Sequence, residues 1–285
     1  MAAVTERDLY DAVLRGFQVC SLAIAGALLA VGSPYGSQTS YRGRLAVNGR
    51  AAWAAMELVS PAMLLYAYFG CPLWCGLAAV QPATAANGGS LWSARNVLAA
   101  AWAAHYAYRG VAYPLRQASR KPMHVGIVLA AVVFNTVNGY LNGRWLAAFA
   151  PAEHQQPLGR YVAAQWVRRG GGMSLFVAGA AGVVYHDAVL TGLRRDNSNS
   201  NNNSKGGYAV PHRGLFALVA CPHYLCELVE WLGFALLSDS PAAWTFLLNA
   251  ACNLLPRARL VHAWYRATFP DQYPESRRAI VPFLL

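Results

Sequence analysis

The residues in this sequence that can do chemistry are acids, bases and phenols embedded in long apolar stretches. Glu57 stands one turn after Trp53. Tyr106, Arg109 and Tyr113 recur at i, i+3 and i+7, which on a helix makes one polar-aromatic stripe. Asp187, Thr191 and Arg194 share a helix face. His223, Glu227, Glu230 and Trp231 follow at i, i+4, i+7 and i+8, and His262 and Tyr265 at i and i+3. An ionisable side chain at the centre of a membrane helix costs about 2.5–3.5 kcal/mol on the insertion scale. Two acids on one helix, facing a third acid and an arginine elsewhere, therefore require a shared polar interior. Basic groups near the ends of the third, fifth and seventh apolar stretches can converge on an anionic ligand. Residue chemistry alone describes a multi-span protein with a polar cavity open to the cytosol, suited to an anionic cofactor and a lipophilic substrate.

Each of these residues also has a plainer reading. Glu57 suits a structural acid bonded to a neighbouring helix, and a membrane Tyr such as Tyr106 or Tyr113 commonly sits in an interfacial belt. His105, His124 and His186 read as packing or interface residues, and the run Arg257 to Arg278 as a positively charged cytosolic tail. The coincidence of so many costly groups argues against the plain reading for the set as a whole. No nucleotide loop, zinc-protease helix or metal-binding spacing is present. The six cysteines read as small apolar helix residues.

The elements that must position these side chains follow from composition. The chain has 285 residues, 56% of them hydrophobic and only 12% charged; a soluble domain carries about a quarter charged residues. A soluble globule, a disordered chain and a disulfide scaffold are all excluded. The net charge of +11 is read as loop charge facing anionic lipid and a phosphorylated ligand, not nucleic acid. Seven apolar segments predict a seven-transmembrane-helix, all-α bundle with spans at about 9–32, 51–70, 95–116, 123–143, 171–191, 214–237 and 242–264. Lys and Arg number fifteen on one side of these spans and six on the other. That bias predicts a cytosolic C-terminal tail over 265–285 and an outer N-terminus. Arg160, Arg168 and Arg169 fall on the arginine-poor side. The stretch 196–206 reads as a disordered Asn/Ser loop, and its Asn202-Asn203-Ser204 acceptor for glycosylation falls on the cytosolic side. No internal repeat is visible, so residues 1–285 are read as one membrane domain.

The C-terminal third carries Tyr208-Ala-Val-Pro211-His-Arg-Gly214, Glu227-Leu-Val-Glu230-Trp231, Arg257-Ala258, His262-Ala-Trp-Tyr265 and Tyr273-Pro-Glu-Ser-Arg277-Arg-Ala-Ile-Val-Pro282-Phe283. Upstream stand Pro34-Tyr35-Gly36, Trp53-Ala-Ala-Met56-Glu57, His105-Tyr106-Ala-Tyr-Arg109 and Asn138-Gly139-Tyr140. In order and spacing these segments resemble the steroid 5α-reductase family over most of the chain. The tail motifs are shared with trans-2-enoyl-CoA and polyprenol reductases, and the Glu230-Trp231 and Met56-Glu57 segments look more like the steroid branch.

The resemblance implies a seven-helix membrane fold, NADPH as hydride donor, and reduction of the C4–C5 double bond of a 3-oxo-4-ene steroid. It implies Glu57 and Tyr106 as the catalytic pair that holds the ketone. It places Tyr35, Tyr113, His223, Glu227, Trp231 and Tyr265 at the cofactor, with Asp187 and Arg194 at its adenosine part and Lys121, Arg257 and His262 at its phosphates. A monomer in the endoplasmic reticulum membrane is expected, with steroid and lipid as its partners. Departures from the family pattern are Met56, Val183, Thr191 and Val261. They leave the choice of NADPH over NADH, and the sterol that fits, open at this stage. The alternatives are a reductase of a long-chain enoyl thioester or polyprenoid, and a membrane methyltransferase or non-catalytic sterol-binding protein.

Overall fold

A computed structural model of the chain describes residues 4–31, 43–70, 90–117, 121–199 and 208–284. Tyr35, Cys71, Cys75 and the Asn202–Ser204 acceptor lie outside them. The described residues form helices α1 (Glu6–Val31), α2 (Gly49–Phe69), α3 (Ala94–Ala107), α4 (Tyr113–Arg116), α5 (Val125–Arg144), α6 (Leu158–Ala164), α7 (Gly171–Asn199), α8 (Pro222–Ser238) and α9 (Pro241–Thr268). Each predicted span corresponds to one of these helices, with α3 and α4 sharing the third. Four stretches are long and apolar enough to cross a membrane: Glu6–Ala30, Gly49–Phe69, Val125–Phe149 and Trp166–Asp196.

Local chemistry sets the helix ends. Asn48 caps α2 by accepting from the amides of Arg50 and Ala51, as an Asn before a helix should. Pro222 and Pro241 open α8 and α9, where the missing amide hydrogen costs nothing. Asp239 closes α8 in the left-handed conformation, at φ 55°, and Ser240 at once caps α9. α8 and α9 thus form a helical hairpin.

Three expected boundaries are corrected. The sixth span begins at Pro222, not near 214, because Gly214 takes φ +62° and residues Gly214–Ala217 form a single 3₁₀ turn. Helix α7 continues to Asn199, four residues into the stretch expected to be a loop. The final segment is neither loose nor bounded at 265, since α9 runs to Thr268. The chain after α9 then folds back so that Arg278 and Ala279 carbonyls accept from the amides of Ala220 and Cys221 at 2.8 and 3.1 Å. Cys221 is the buried N-cap of α8 and not a residue inside a helix.

Two close helix seams carry the architecture. The short antiparallel pair β1 (Ala46–Val47) and β2 (Met123–His124) starts α2 and α5 at the same end, so the two helices run side by side in parallel. Their backbones meet where a Cβ on Gly139 would stand 2.3 Å from the Ser60 carbonyl. With Gly143 one turn on, this is the small-xxx-small spacing that membrane helices use for close approach. α7 and α8 run antiparallel and meet as tightly, a Cβ on Gly179 falling 2.4 Å from the Glu230 amide. α1 lies against α9, tied by Gln18 Nε2 donating to Thr245 Oγ1 at 2.9 Å.

At one end of the bundle, arginines are matched to acids. Arg144 and Glu6 are fully buried and paired, Nε to Oε1 at 2.5 Å and Nη2 to Oε2 at 3.1 Å. Arg168 pairs with Asp239 and Arg169 with Glu153. Two of the clustered three, Arg168 and Arg169 but not Arg160, are therefore held by carboxylates, which accounts physically for their position on the arginine-poor side. His154, between α5 and α6, is 1% exposed. Its Nε2 faces the Ser238 carbonyl and the Tyr161 hydroxyl, both at 2.8 Å.

Burial holds the His154 imidazole below its ordinary value, prevailing over the Ser238 and Pro151 carbonyls that favour the charged form. A depressed histidine contributes stability that is complete above the unfolded value near 6.5 and is lost as pH falls toward the folded value. Melting temperature in detergent is accordingly expected to drop between pH 7.5 and 5.5, and His154→Gln to flatten that part of the profile. An unchanged profile in the variant would contradict the assignment.

Candidate functional site

Helix α2 presents Trp53, Glu57 and Ser60 on successive turns. Pro61 has no amide hydrogen to offer the Glu57 carbonyl, so the backbone ladder opens at the turn that carries the acid. Helix α3 changes winding at Tyr108–Ala112, a π-turn before α4. Such a turn inserts a residue into the helical register and re-aims the side chains after it.

The expected stripe is divided by this turn. Tyr106, before it, is 3% exposed and packs on Trp102 and Trp231 at ring distances of 5.5 and 6.3 Å. Its hydroxyl meets the side chains of Ser60 and Asn138 and lies within electrostatic reach of Glu57 and Glu227. Arg109, inside the turn, points to α7 and α8. Its guanidinium pairs with Asp187 at 3.4 Å and Glu227 at 3.9 Å, and Glu57 is also within its reach. It lies over the rings of Trp53 and Tyr113 at 5.1 and 5.0 Å, while Trp53 Nε1 donates to the Arg109 carbonyl at 3.0 Å. Tyr113, past the turn, sits edge-on to Trp53.

The residues expected at the cofactor gather around the start of α8. His223 is within electrostatic reach of Arg109, Arg257 and Arg194. Arg194 and Lys121 both approach the Tyr208 ring, at 5.6 and 5.9 Å, and Arg257 lies over Tyr224 at 5.3 Å. Tyr265 stacks on Tyr273 with ring centroids 5.5 Å apart. His262 is engaged separately, its Nδ1 2.8 Å from the Tyr273 hydroxyl. Two polar atoms in this region, His223 Nδ1 and Trp231 Nε1, are buried without a hydrogen-bond partner. Buried polar groups are nearly always satisfied, so these fit a hydrogen-bonding ligand that the described residues do not supply. Among the departures, Thr191 Oγ1 donates to the Asp187 carbonyl of its own helix at 2.8 Å, Val183 is buried at 2% exposure, and Met56 packs with Trp53 and Met123. Among the described residues, no group of three His, Cys, Asp or Glu side chains is disposed to hold a metal ion.

Sequence reasoning missed several participants. His105, read as a packing residue, meets Glu230 at 2.7 Å in the interior. The two acids of α8 therefore have different partners, Glu227 facing Arg109 and Glu230 facing His105. Ser60 and Asn138 were not singled out beside Tyr106; the Asn-Gly pair ahead of Gly143 was the available signal. Arg277 is 1% exposed, with its guanidinium 4.9 Å from the Tyr273 ring, and only its place in the closing motif pointed to it.

A helical protein with membrane-length apolar spans and an ionic, aromatic interior is a membrane enzyme in outline, and comparison with known proteins supplies the family. Residues 121–285 match the family model described as 3-oxo-5-alpha-steroid 4-dehydrogenase. The chain is 33% identical to the 3-oxo-5-alpha-steroid 4-dehydrogenase 1 of Bos taurus, over 99% of each chain. It is 37% identical to the steroid 5-alpha-reductase DET2 of Gossypium hirsutum over 63% of this chain and 66% of that one. A Schizosaccharomyces pombe protein described as uncharacterized is 34% identical over 97% of this chain and 99% of its own. The chain belongs to the steroid 5α-reductase family and is an oxidoreductase.

Removing the shared cation should be costly. Arg109→Leu leaves Asp187, Glu227 and Glu57 facing one another in apolar surroundings, and breaking a buried pair in this way costs about 3–5 kcal/mol. Arg109→Lys keeps the charge but loses the planar fork, so its melting temperature in detergent should fall between the two. A leucine variant that melts with the unsubstituted protein would refute the shared-cation role.

Proposed function

We propose that the protein reduces the C4–C5 double bond of a 3-oxo-4-ene steroid to the 5α product, using NADPH. The observation that carries this reading is the placement of the Tyr106 hydroxyl and the Glu57 carboxyl in one interior, between α2, α3 and α5 and beside the aromatic wall of α8. When bound, NADPH supplies a hydride to the β-carbon of the enone. The protein must then accommodate the negative charge that builds on the ketone oxygen. Donors placed at that oxygen stabilise the transition state more than the ground state. Tyr106 donates its hydroxyl there, and Glu57, the acid of the pair, shares the oxygen or orients the phenol. The α-carbon then takes its proton from water or through Tyr106. Trp102, Trp231 and Phe246 pack around this point and exclude water from the enolate.

The residues around the start of α8 fit the cofactor. His223 and Trp231 bring ring nitrogens that have no hydrogen-bond partner among the described residues, suited to the nicotinamide and ribose. Glu227, Tyr265 and Tyr113 are assigned to the cofactor with them, and so is Tyr35, which lies outside the described residues. Lys121, Arg194, Arg257 and His262 suit the phosphates, where lasting positive charge is required, and Asp187 the adenosine part. We read the number of these cations as favouring NADPH over NADH; Thr191 adds nothing to them, its hydroxyl being turned back to its own helix. We read the whole chain as one seven-span domain with a cavity open to the cytosol. Its C-terminus is cytosolic in the endoplasmic reticulum membrane, and the protein acts as a monomer. The pairing of Arg144, Arg168 and Arg169 with acids at the opposite end supports that orientation.

The test is product analysis after incubation with NADPH and three substrate types: a 4-ene-3-ketosteroid, a long-chain trans-2-enoyl thioester and a polyprenoid enone. The steroid should be converted to its saturated 5α ketone, and Glu57→Gln and Tyr106→Phe should each lower turnover by about 10²-fold or more without changing the melting temperature. Saturation of the thioester or polyprenoid alone would move the assignment to those substrates. No saturated product from any of them would reject a reductase.

A further inference from the structure

Asn138 is fully buried on α5, next to the glycine that lets α5 touch α2. Its Oδ1 accepts from Asn142 Nδ2 at 3.2 Å, and the same Asn142 group donates to the Asn138 carbonyl at 3.0 Å. That pairing settles which way the amide is turned. The Asn138 NH2 is left as a pure donor, and it is buried without a full hydrogen bond to any acceptor among the described residues. It stands beside the Tyr106 hydroxyl, close enough to interact with it. Across the seam Ser60, also fully buried, accepts from Trp102 Nε1 at 3.3 Å and borders the same hydroxyl. An unsatisfied buried donor costs about 1–3 kcal/mol, and an apolar residue of similar outline would avoid that cost.

We propose that Asn138 is a positioning residue for the reaction, acting through Tyr106; this rests on the reading of Tyr106 as the donor to the substrate ketone. A phenol has one hydrogen to give and two lone pairs to accept with. The Asn138 NH2 can only donate, and the amide oxygen is turned toward Asn142. The Tyr106 hydrogen therefore finds no acceptor in the Asn138 NH2 and is left for Ser60, Glu57 or, with substrate bound, the ketone. As hydride arrives and charge builds on the ketone oxygen, the Tyr106 O–H bond lengthens toward it and the phenol oxygen gains negative charge. The Asn138 N–H answers that charge with a hydrogen bond that closes fully only then. The interaction is thus stronger in the transition state than in the resting protein, the condition for raising kcat without tightening substrate binding. The close glycine contact at Gly139 serves this arrangement, since it sets the distance between the α5 amide and the α2–α3 pair.

The experiment compares the unsubstituted protein with Asn138→Ala and Asn138→Leu, purified in detergent, with NADPH and a 4-ene-3-ketosteroid. Leucine keeps the branched outline without any donor and covers the case in which alanine destabilises the seam; Asn142 retains the backbone carbonyl as acceptor. The expected result is a kcat at least tenfold lower, a steroid KM within threefold of normal, and a larger solvent deuterium isotope effect on kcat, because proton movement from Tyr106 becomes slower. A kcat within twofold of normal in either folded variant would overturn the proposal. So would a loss in which KM rises in step and the isotope effect stays constant, since that pattern marks substrate docking or general structure. Absence of turnover in the unsubstituted protein would instead reject the steroid reductase reading, and this inference with it.

Discussion

One guanidinium organises the interior of this protein. Arg109 faces Asp187 from α7 and Glu227 from α8, lies within reach of Glu57 from α2, and rests on the rings of Trp53 and Tyr113. Charges taken out of water are tolerated only when partnered, and a cation that serves several acids fixes their helices relative to one another. An arginine suits this better than a lysine, because its planar fork presents donors in several directions and its faces stack on aromatic rings. The helices that bring acids to Arg109 are the same ones that carry the residues assigned to substrate and cofactor. Packing and chemistry therefore depend on one charge.

The backbone devices around that charge are unusual in the same place. Pro61 opens the α2 ladder at the turn of Glu57, a π-turn interrupts α3 at Arg109, and glycine contacts bring α5 onto α2 and α8 onto α7. The first two depart from the regular helix at Glu57 and Arg109, and the glycine contacts bring Asn138 and Glu230 into close seams. A regular bundle would have kept Tyr106 and Arg109 on one face. The π-turn instead sends the phenol to the α2–α5 seam and the guanidinium to α7 and α8, which separates Tyr106 from the ionic cluster while keeping both in one interior.

Composition and hydropathy made the helices legible, because burial of apolar side chains in lipid leaves long runs that need no tertiary information. The residues that would be costly in lipid were legible for the same reason, so Glu57, Asp187, Glu227 and Arg109 stood out in the sequence. Their pairing did not, since partner choice depends on helix phase and on backbone irregularities that spacing alone does not encode. The π-turn at Tyr108–Ala112 is an example: an i, i+3, i+7 pattern assumes an unbroken helix, and here it is broken. His105 was read as packing because a lone histidine usually is, and only the tight α7–α8 seam that carries Glu230 reveals its partner. The start of α8 was placed too early because the apolar run continues through Gly214, whose positive φ ends helix formation. The return of the C-terminal segment onto 218–221 rests on backbone hydrogen bonds that no side-chain pattern announces.

The central claim is that this interior directs reduction to the carbon–carbon double bond by holding the ketone oxygen at Tyr106. The most direct measurement uses NADPH carrying deuterium at its transferring position, with the label located in the steroid product by mass spectrometry and NMR. The account predicts deuterium on the β-carbon of a saturated ketone, with the α-carbon hydrogen drawn from solvent. Deuterium on the carbonyl carbon of an alcohol, or a product with no label, would contradict it.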